Sequence, residues 1–520
     1  MPGRPLAAAA RRSALALAAG FALAAGQVPF SIWPAAIAGL AVALWLVATA
    51  PNARAGLREG LLFGLGHFLI ALEWIAQPFL VDPERHGWMA PFAHALMAAG
   101  LAAFWSGAAW GAVRLVPQQG ARRAIVAAAA LGTAELVRSH LFGGFPWVLL
   151  GHVWLDWAPA QAAAIVGAHG LGVLTLLGVA LPVAALLMPA LPAPRRLALA
   201  TAGPAALAAV ALFGLWQAGR DVPPPPGATV RLVQPNARQD HKWDPVKLRA
   251  IRARLVALTA APAAGGARPD LVVWPESAVA FLLGEDPAAL AEIAAAAGGG
   301  QLALGIQRLE GTRYFNSLAV LEPSGAVGSV YDKHHLVPFG EFIPLGDLMA
   351  EWFGIIAFAA QEGAGFTPGP GPRLIDVGAA GMALPLICYE AVFAPQIAAA
   401  PQRPGLMLQV TNDAWFGTRS GPWQHLSLAR LRAIEFGLPL LRAANTGISA
   451  VIDARGRVVA ELGLGQDGFI DAPLPAPLGP TPYSLWGDWP AHGALFLMWL
   501  VALGRRGSRT AGIDPTRARS

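Results

Sequence analysis

Cysteine is almost absent from this sequence, with one residue, Cys388, in 520. A single thiol excludes any disulfide within the chain and any metal site built from several cysteines, so Cys388 is a free thiol. Charge is scarce as well. Only 13% of residues are Asp, Glu, Lys or Arg against 55% hydrophobic, and mean hydropathy is +0.50, a balance that soluble globular chains rarely show. The charge present leans basic, at +6. No segment interleaves a dense basic patch with aromatic residues, however, which excludes a nucleic-acid groove.

The apolar residues gather in runs of about 20, the length of helix that crosses the hydrocarbon of a bilayer. Seven such runs are expected at 11–26, 28–49, 58–77, 91–113, 123–140, 161–188 and 196–217, and an eighth at 485–504. Arg11 and Arg12 before the first run imitate a signal peptide, but further runs follow at once, so it reads as an uncleaved helix. Basic residues fall in every second connection: Arg4, Arg11 and Arg12; Arg54 and Arg58; Arg114, Arg122 and Arg123; Arg195 and Arg196. The positive-inside rule makes these connections cytoplasmic. An odd number of spans then carries residue 218 to the outside, and the last span returns to the cytoplasm before Arg505, Arg506, Arg509, Arg517 and Arg519. Expected domains are therefore a membrane domain over 1–220, an extracytoplasmic domain over 221–480, and a final span with a basic tail over 481–520.

The run Pro223 to Pro226 followed by Gly227 marks a stiff linker. Beyond it, short β-rich runs at 229–233, 271–274, 302–306, 317–321, 382–387, 406–411 and 449–453 alternate with helical stretches near 244–261, 286–297 and 423–437, the pattern of an α/β domain.

Three places in that domain carry chemistry. Leu271-Val272-Val273-Trp274 runs into Pro275-Glu276, where proline ends the strand and a carboxylate stands at its tip. In Tyr331-Asp332-Lys333-His334-His335 through Gly340-Glu341, a lysine and a glutamate flank an apolar turn. The adjacent histidines point to opposite faces on an extended chain and lack further ligands, so no metal is expected. The apolar strand Met382 to Ile387 ends in Cys388-Tyr389-Glu390, the strand-to-turn setting that exposes a nucleophile beside backbone N–H groups. A thiol is mostly protonated at neutral pH and needs a base and a positive neighbour; Glu276 and Lys333 supply those two functions.

In their order and contexts, Trp-Pro-Glu276, Asp-Lys333-His-His-Leu-Val-Pro-Phe-Gly-Glu341 and Ile-Cys388-Tyr-Glu390, these residues resemble the nitrilase superfamily. Joined to a membrane bundle, they resemble its membrane-bound branch, the apolipoprotein N-acyltransferase family. The resemblance extends to Val233-Gln-Pro-Asn236, Lys242-Trp243-Asp-Pro245, Thr411-Asn412-Asp413-Ala-Trp415-Phe416-Gly417, Gly421 to His425, Arg432 to Glu435 and Leu441 to Gly447. One departure is Leu438, which stands before Pro439 where the family often has a basic residue.

The resemblance implies a polytopic bundle of about eight spans carrying a nitrilase-like α-β-β-α sandwich, in the bacterial inner membrane with the sandwich on the periplasmic side. It implies N-acylation of the lipidated N-terminal cysteine of apolipoproteins from a phospholipid donor, phosphatidylethanolamine by common use, through a thioester on Cys388 and without cofactor or metal. It makes Glu276, Lys333 and Cys388 catalytic. Glu341 orients Lys333, Glu390 and Tyr389 shape the pocket, and Trp243, Asn316, Asn412, Trp415 and Phe416 contact substrate. An apolar insertion at 345–358 reads as a membrane-dipping lid or as an ordinary packed helix. Glu73 and Glu135, at membrane depth, are either functional or paired structurally. The alternatives are a membrane-tethered amidase or nitrilase-type hydrolase, with water as second nucleophile, and a transporter or scaffold whose outer domain only binds.

Overall fold

High helix propensity in the Ala- and Leu-rich runs, and the need to pair every backbone group where water is missing, produce long helices in the first half of the chain. A computed structural model describes residues 3–239, 245–263, 266, 268–342 and 365–504. Seven long helices precede the linker in it: α1 Gly3–Ala24, α2 Trp33–Ala48, α3 Ala53–Ala71, α4 Ala90–Leu115, α5 Ala121–Arg138, α6 Ala163–Leu186 and α7 Ala193–Ala218. They fall where the eight-span expectation put its first seven, and Trp489–Leu503 stands at the eighth.

Among the described residues, four stretches are long and apolar enough to cross a membrane, Ala7–Ala24, Pro83–Leu115, Ala158–Leu186 and Ala193–Ala218. Helix α3 with the 3-10 turn Glu73–Leu80, bent by 49°, makes a fifth where the bent pair is counted as one span. Helix α2 is apolar but shorter, and α5 carries Arg122, Arg123, Glu135 and Arg138. Two charged pairs of the bundle are buried in matched contacts. Glu59 Oε1 lies 2.6 Å from Arg12 Nε. Glu135 Oε1 lies 2.7 Å from Arg138 Nε and accepts from Trp105 Nε1, while its Oε2 accepts from Leu150 N. Unpaired charges there would be costly. Of the two readings open for Glu135, the structure shows the paired one.

After the linker, twelve strands are described: β1 Thr229–Gln234, β2 Leu271–Val273, β3 Gln301–Glu310, β4 Arg313–Leu321, β5 Val327–Asp332, β6 Ile375–Asp376, β7 Met382–Ile387, β8 Leu406–Thr411, β9 Leu440–Ala444, β10 Ser449–Ile452, β11 Val458–Leu462 and β12 Gly468–Pro473. They form two six-stranded sheets, in the orders β12-β1-β2-β3-β4-β5 and β11-β10-β9-β8-β7-β6.

Alternation along each strand sorts the side chains into three apolar layers. Leu232, Val273, Ala303 and Leu318 meet Ile387, Leu408, Val410 and Leu441 between the sheets. Val272, Trp274 and Leu302 turn outward onto α8 (Pro245–Ala260) and α9 (Pro287–Ala296), through Leu255 and Ile293. Leu384, Leu386, Met407 and Leu440 face α10 (Gly421–Phe436), through Leu426, Ala429 and Ala433. Because both faces of the strands are covered, they read as continuous apolar runs. The result is the expected α-β-β-α sandwich. Leu438, at the departure from the family pattern, lies 1% exposed in the layer beneath α10, a place with no room for a solvated cation.

The sandwich sits directly on the bundle. Gln424 of α10 is buried with all four hydrogen-bonding positions of its amide used: Oε1 accepts from Trp74 Nε1 at 3.1 Å and Trp147 Nε1 at 2.7 Å, and Nε2 donates to Val28 O and Ala71 O. Glu73 Oε1, the other membrane-depth carboxylate, accepts from Ser420 N and Oγ at the start of α10. Helix α11 (Trp489–Leu503) packs back on α5 and α6, with Trp499 Nε1 donating to Thr133 Oγ1.

Candidate active site

Strand ends bring the site together. Pro275 terminates β2 and the chain turns across β3, where Gly305 leaves room. A Cβ there would stand 2.5 Å from Glu276 Cα, so no other residue lets the turn pass. The Glu276 carboxylate is then fixed at both oxygens: Oε1 accepts from Asn316 Nδ2 at 2.7 Å and Oε2 from Asn412 N at 2.9 Å. Lys333 follows β5 and is 1% exposed. Its Nζ lies 2.8 Å from Glu341 Oε2, 2.9 Å from Glu341 Oε1 and 3.8 Å from Glu276 Oε1. Asn316 Nδ2 also reaches Glu341 Oε1 at 3.1 Å, so one amide bridges the two carboxylates that flank the ammonium.

Cys388 ends β7 at φ +53° and is 7% exposed. A left-handed backbone is costly for any residue with a Cβ, and such strain concentrates at functional turns. Glu390 holds the turn from one side. Its Oε2 accepts from Ile387 N, while Oε1 accepts from Tyr331 Oη, His334 N and His335 N. One carboxylate thus ties the Cys388 turn to the segment that carries Lys333. Although burial works against the charge, His334 and the other donors keep the Glu390 carboxyl below the usual range.

The electrostatics follow from this packing. Burial alone would lower Lys333, but Glu341 and Glu276 outweigh it and raise it above an ordinary lysine, so it stays charged. Burial pushes the Cys388 thiol up and Glu276 adds to the shift; Lys333 and a hydrogen bond with Thr411 oppose it without overcoming it. At rest the sulfur is therefore a protonated thiol beside an ion-paired base. A raised thiol pKa means that thiolate keeps growing with pH beyond the point where an ordinary cysteine saturates. Iodoacetamide alkylation of the resting protein, read by intact mass, is expected to climb about tenfold per pH unit from about pH 7 to about pH 10, whereas a thiol of pKa near 8.5 levels off. A plateau below about pH 9 would mean that the thiol is not raised above an ordinary cysteine.

The remaining sequence-predicted residues fall in two groups. Asn316 and Asn412 are in the site, on Glu276; Asn412 also pairs with Gln239 and Asn445. Tyr389 points toward the bundle, its hydroxyl donating to Gly144 O at 3.4 Å and its ring stacked on Trp147. Phe416 joins the same aromatic seam, edge-on to Trp74, Trp147 and His425, and Trp415 is half-buried against the core. His334 faces Glu390 and Tyr331, whereas His335 lies on Phe393 and burial lowers it to about 4. Trp243 and the 345–358 insertion lie outside the described residues.

Sequence reasoning quoted Asp413, His425 and Arg442 within motifs but assigned them no role, and it missed Gln409. All four are fully buried behind the Cys388 turn. The available signal was Gln409 and Thr411 on an otherwise apolar strand, since a buried polar side chain on a strand implies a partner.

Two family profiles match the chain, the apolipoprotein N-acyltransferase N-terminal domain over residues 19–181 and carbon-nitrogen hydrolase over residues 229–483. Proteins named apolipoprotein N-acyltransferase are similar over nearly the full length. That of Rhodopseudomonas palustris is 38% identical over 519 residues, covering 95% of both chains. That of Bradyrhizobium diazoefficiens is 39% identical over 517 residues, again 95% of both. That of Caulobacter vibrioides is 39% identical over 531 residues, 97% of both.

Proposed function

The chain belongs to the apolipoprotein N-acyltransferase family, and from that premise we propose that it moves an acyl chain from a phospholipid to the N-terminal amine of lipidated apolipoproteins, with Glu276, Lys333 and Cys388 as its catalytic groups. The observation that carries the reading is a lone buried thiol on a left-handed turn at a strand end, in one site with a carboxylate whose ammonium partner is buried, in a domain seated on apolar helices.

The chemistry follows from the charges. Glu276 takes the proton of Cys388 as sulfur adds to the ester carbonyl of the donor. Lys333 Nζ and backbone N–H groups at the start of the turn face the oxygen that becomes negative. Collapse expels the lysophospholipid alkoxide, which receives the proton from Glu276 and leaves a thioester. The acceptor amine then attacks the thioester, passes its proton to Glu276, and releases the amide; the thiolate takes that proton back. Each half-reaction returns Glu276 to the carboxylate, and the thioester supplies the driving force, so no nucleotide or metal takes part. Glu341 keeps Lys333 charged and aimed.

Finer parts of the reading rest on the sequence pattern. Phosphatidylethanolamine is the donor proposed. Eight helices cross the bacterial inner membrane, with the arginine-rich connections in the cytoplasm and residues 221–480 outside. Of the candidate substrate contacts, Trp243, Trp415 and Phe416 are assigned to the acyl or lipoprotein path, while Asn316 and Asn412 position the site's polar groups through Glu276. Similarity over 95% of the N-acyltransferase chains, bundle included, favours an amine over water as second nucleophile.

The test is direct. Protein incubated with phosphatidylethanolamine vesicles is expected to gain one acyl mass on Cys388, removable by hydroxylamine and discharged by a diacylglyceryl peptide with a free amine. An adduct that water clears as fast as the peptide does would instead support the hydrolase.

A further inference from the structure

Residues on both sides of the Cys388 turn hold its backbone, and only one side belongs to the motif that carries the nucleophile. Glu390 grips Ile387 N, ahead of the cysteine. Behind it, the Cys388 carbonyl accepts from Gln409 Nε2 at 3.1 Å, and His425 Nε2 lies 3.2 Å from the same oxygen. Gln409 Nε2 also lies 3.1 Å from His425 Nε2, and His425 Nδ1 lies 3.0 Å from Asp413 Oδ1.

Each ring nitrogen faces one donor and one acceptor: Nε2 the Gln409 amide and the Cys388 carbonyl, Nδ1 the Arg442 guanidinium at 3.3 Å and the Asp413 carboxylate. The neutral tautomer with its hydrogen on Nδ1 uses the shorter contact at each nitrogen, Nδ1 donating to Asp413 and Nε2 accepting from Gln409. Burial and then the Arg442 guanidinium lower His425, which agrees with a neutral ring. Asp413 is anchored in turn by Arg442 Nη2 at 2.5 Å and by Thr411 Oγ1 at 3.0 Å, and is held down to about 2. A Cβ at Gly447 would overlap Asp413 Oδ2, so the chain leaves that space for the carboxylate. Trp147 of the bundle and Phe416 of the sandwich both pack on the His425 ring.

We infer that Asp413, His425 and Gln409 form a positioning relay that holds the Cys388 carbonyl, and through it the left-handed turn that aims the sulfur at Glu276 and Lys333. The inference rests on Cys388 being the acyl carrier. None of the three residues need touch substrate. The relay acts because φ +53° is unfavourable for cysteine. Without a donor on its carbonyl, the peptide rotates toward an ordinary φ and swings Sγ off line, and a displacement of about 1 Å can lower a rate about 100-fold.

The single cysteine makes the test clean, because every adduct reports the same sulfur. Gln409→Leu, close in volume and unable to donate, is expected to slow acylation of Cys388 by phospholipid vesicles 10- to about 100-fold. Alkylation by iodoacetamide, which needs no oxyanion alignment, is expected to stay within about threefold of the unchanged protein. His425→Gln, whose terminal amide reaches the place of Nε2, is expected to acylate faster than His425→Asn, which reaches only Asp413. Unchanged acylation in Gln409→Leu, or acylation and alkylation falling by the same factor, overturns the relay. If Gln409→Leu does not fold, the His425 pair decides, and equal acylation by the two overturns it. An unsubstituted protein that forms no acyl adduct defeats the reading of Cys388 itself, and the relay with it; an adduct formed equally fast with and without Gln409 defeats the relay alone.

Discussion

Replacing Cys388 by alanine is expected to abolish the acyl adduct and to lower N-acylation by about 10⁴-fold or more, the scale on which covalent catalysis fails when its nucleophile is removed. Because the chain has no other cysteine, no second thiol exists to take over, and residual transfer would report uncatalysed aminolysis in the site. The protein should fold as before. The resting thiol is neutral and forms no ion pair, so thermal unfolding should shift little. N-acylation of a diacylglyceryl peptide within tenfold of the unchanged enzyme would exclude the thioester route.

Lys333→Met should be nearly as damaging to activity, and it should differ in what it does to the fold. Methionine matches the stem and removes the charge, which leaves Glu276 and Glu341 facing one another through the single amide of Asn316. Removing one partner from a buried pair typically costs about 3–5 kcal/mol. The site escapes by protonating a carboxylate, and a protonated Glu276 is no base. We expect no detectable acyl adduct together with a clearly lower melting temperature. Adding Glu341→Gln removes the stranded charge, so Lys333→Met/Glu341→Gln should recover most of the melting temperature and none of the adduct. If the double variant regained acylation, Lys333 would serve only to neutralise Glu341, and the stabilisation of the oxyanion would have to come from the backbone alone.

How much of this was legible follows from which signals are local. Glu276 and Cys388 stand at the ends of apolar strands, and a strand running into Pro-Glu or Cys-Tyr-Glu can be read without partners. The helices over 1–220 were legible for the same reason, each apolar run being self-sufficient. Their use of charge was not: Glu135 looks like a functional intramembrane acid until Arg138, Trp105 and Leu150 N are seen around it. Strands with mixed composition were missed as well. β9 carries the fully buried Arg442, and β12 carries Asp471, whose partner Arg231 lies 240 positions away in β1. The relay behind Cys388 was illegible because each member is ordinary alone. A glutamine in a strand and a histidine in a helix become a device only when the sheet and α10 bring them to hydrogen-bond distance.

The amide of Gln424 has a mechanical consequence. With both donors and both lone pairs engaged by Trp74, Trp147, Val28 and Ala71, any sliding or tilting of the sandwich strands several buried polar groups at once, each at about 1–3 kcal/mol. The reacting sulfur is thereby kept at one altitude above the helices. A phospholipid ester also occupies a narrow depth, between headgroup and tail, and diffuses freely only in the plane. For a lipid donor confined to the plane of a bilayer, a sulfur held at one fixed height makes the search for substrate a two-dimensional one.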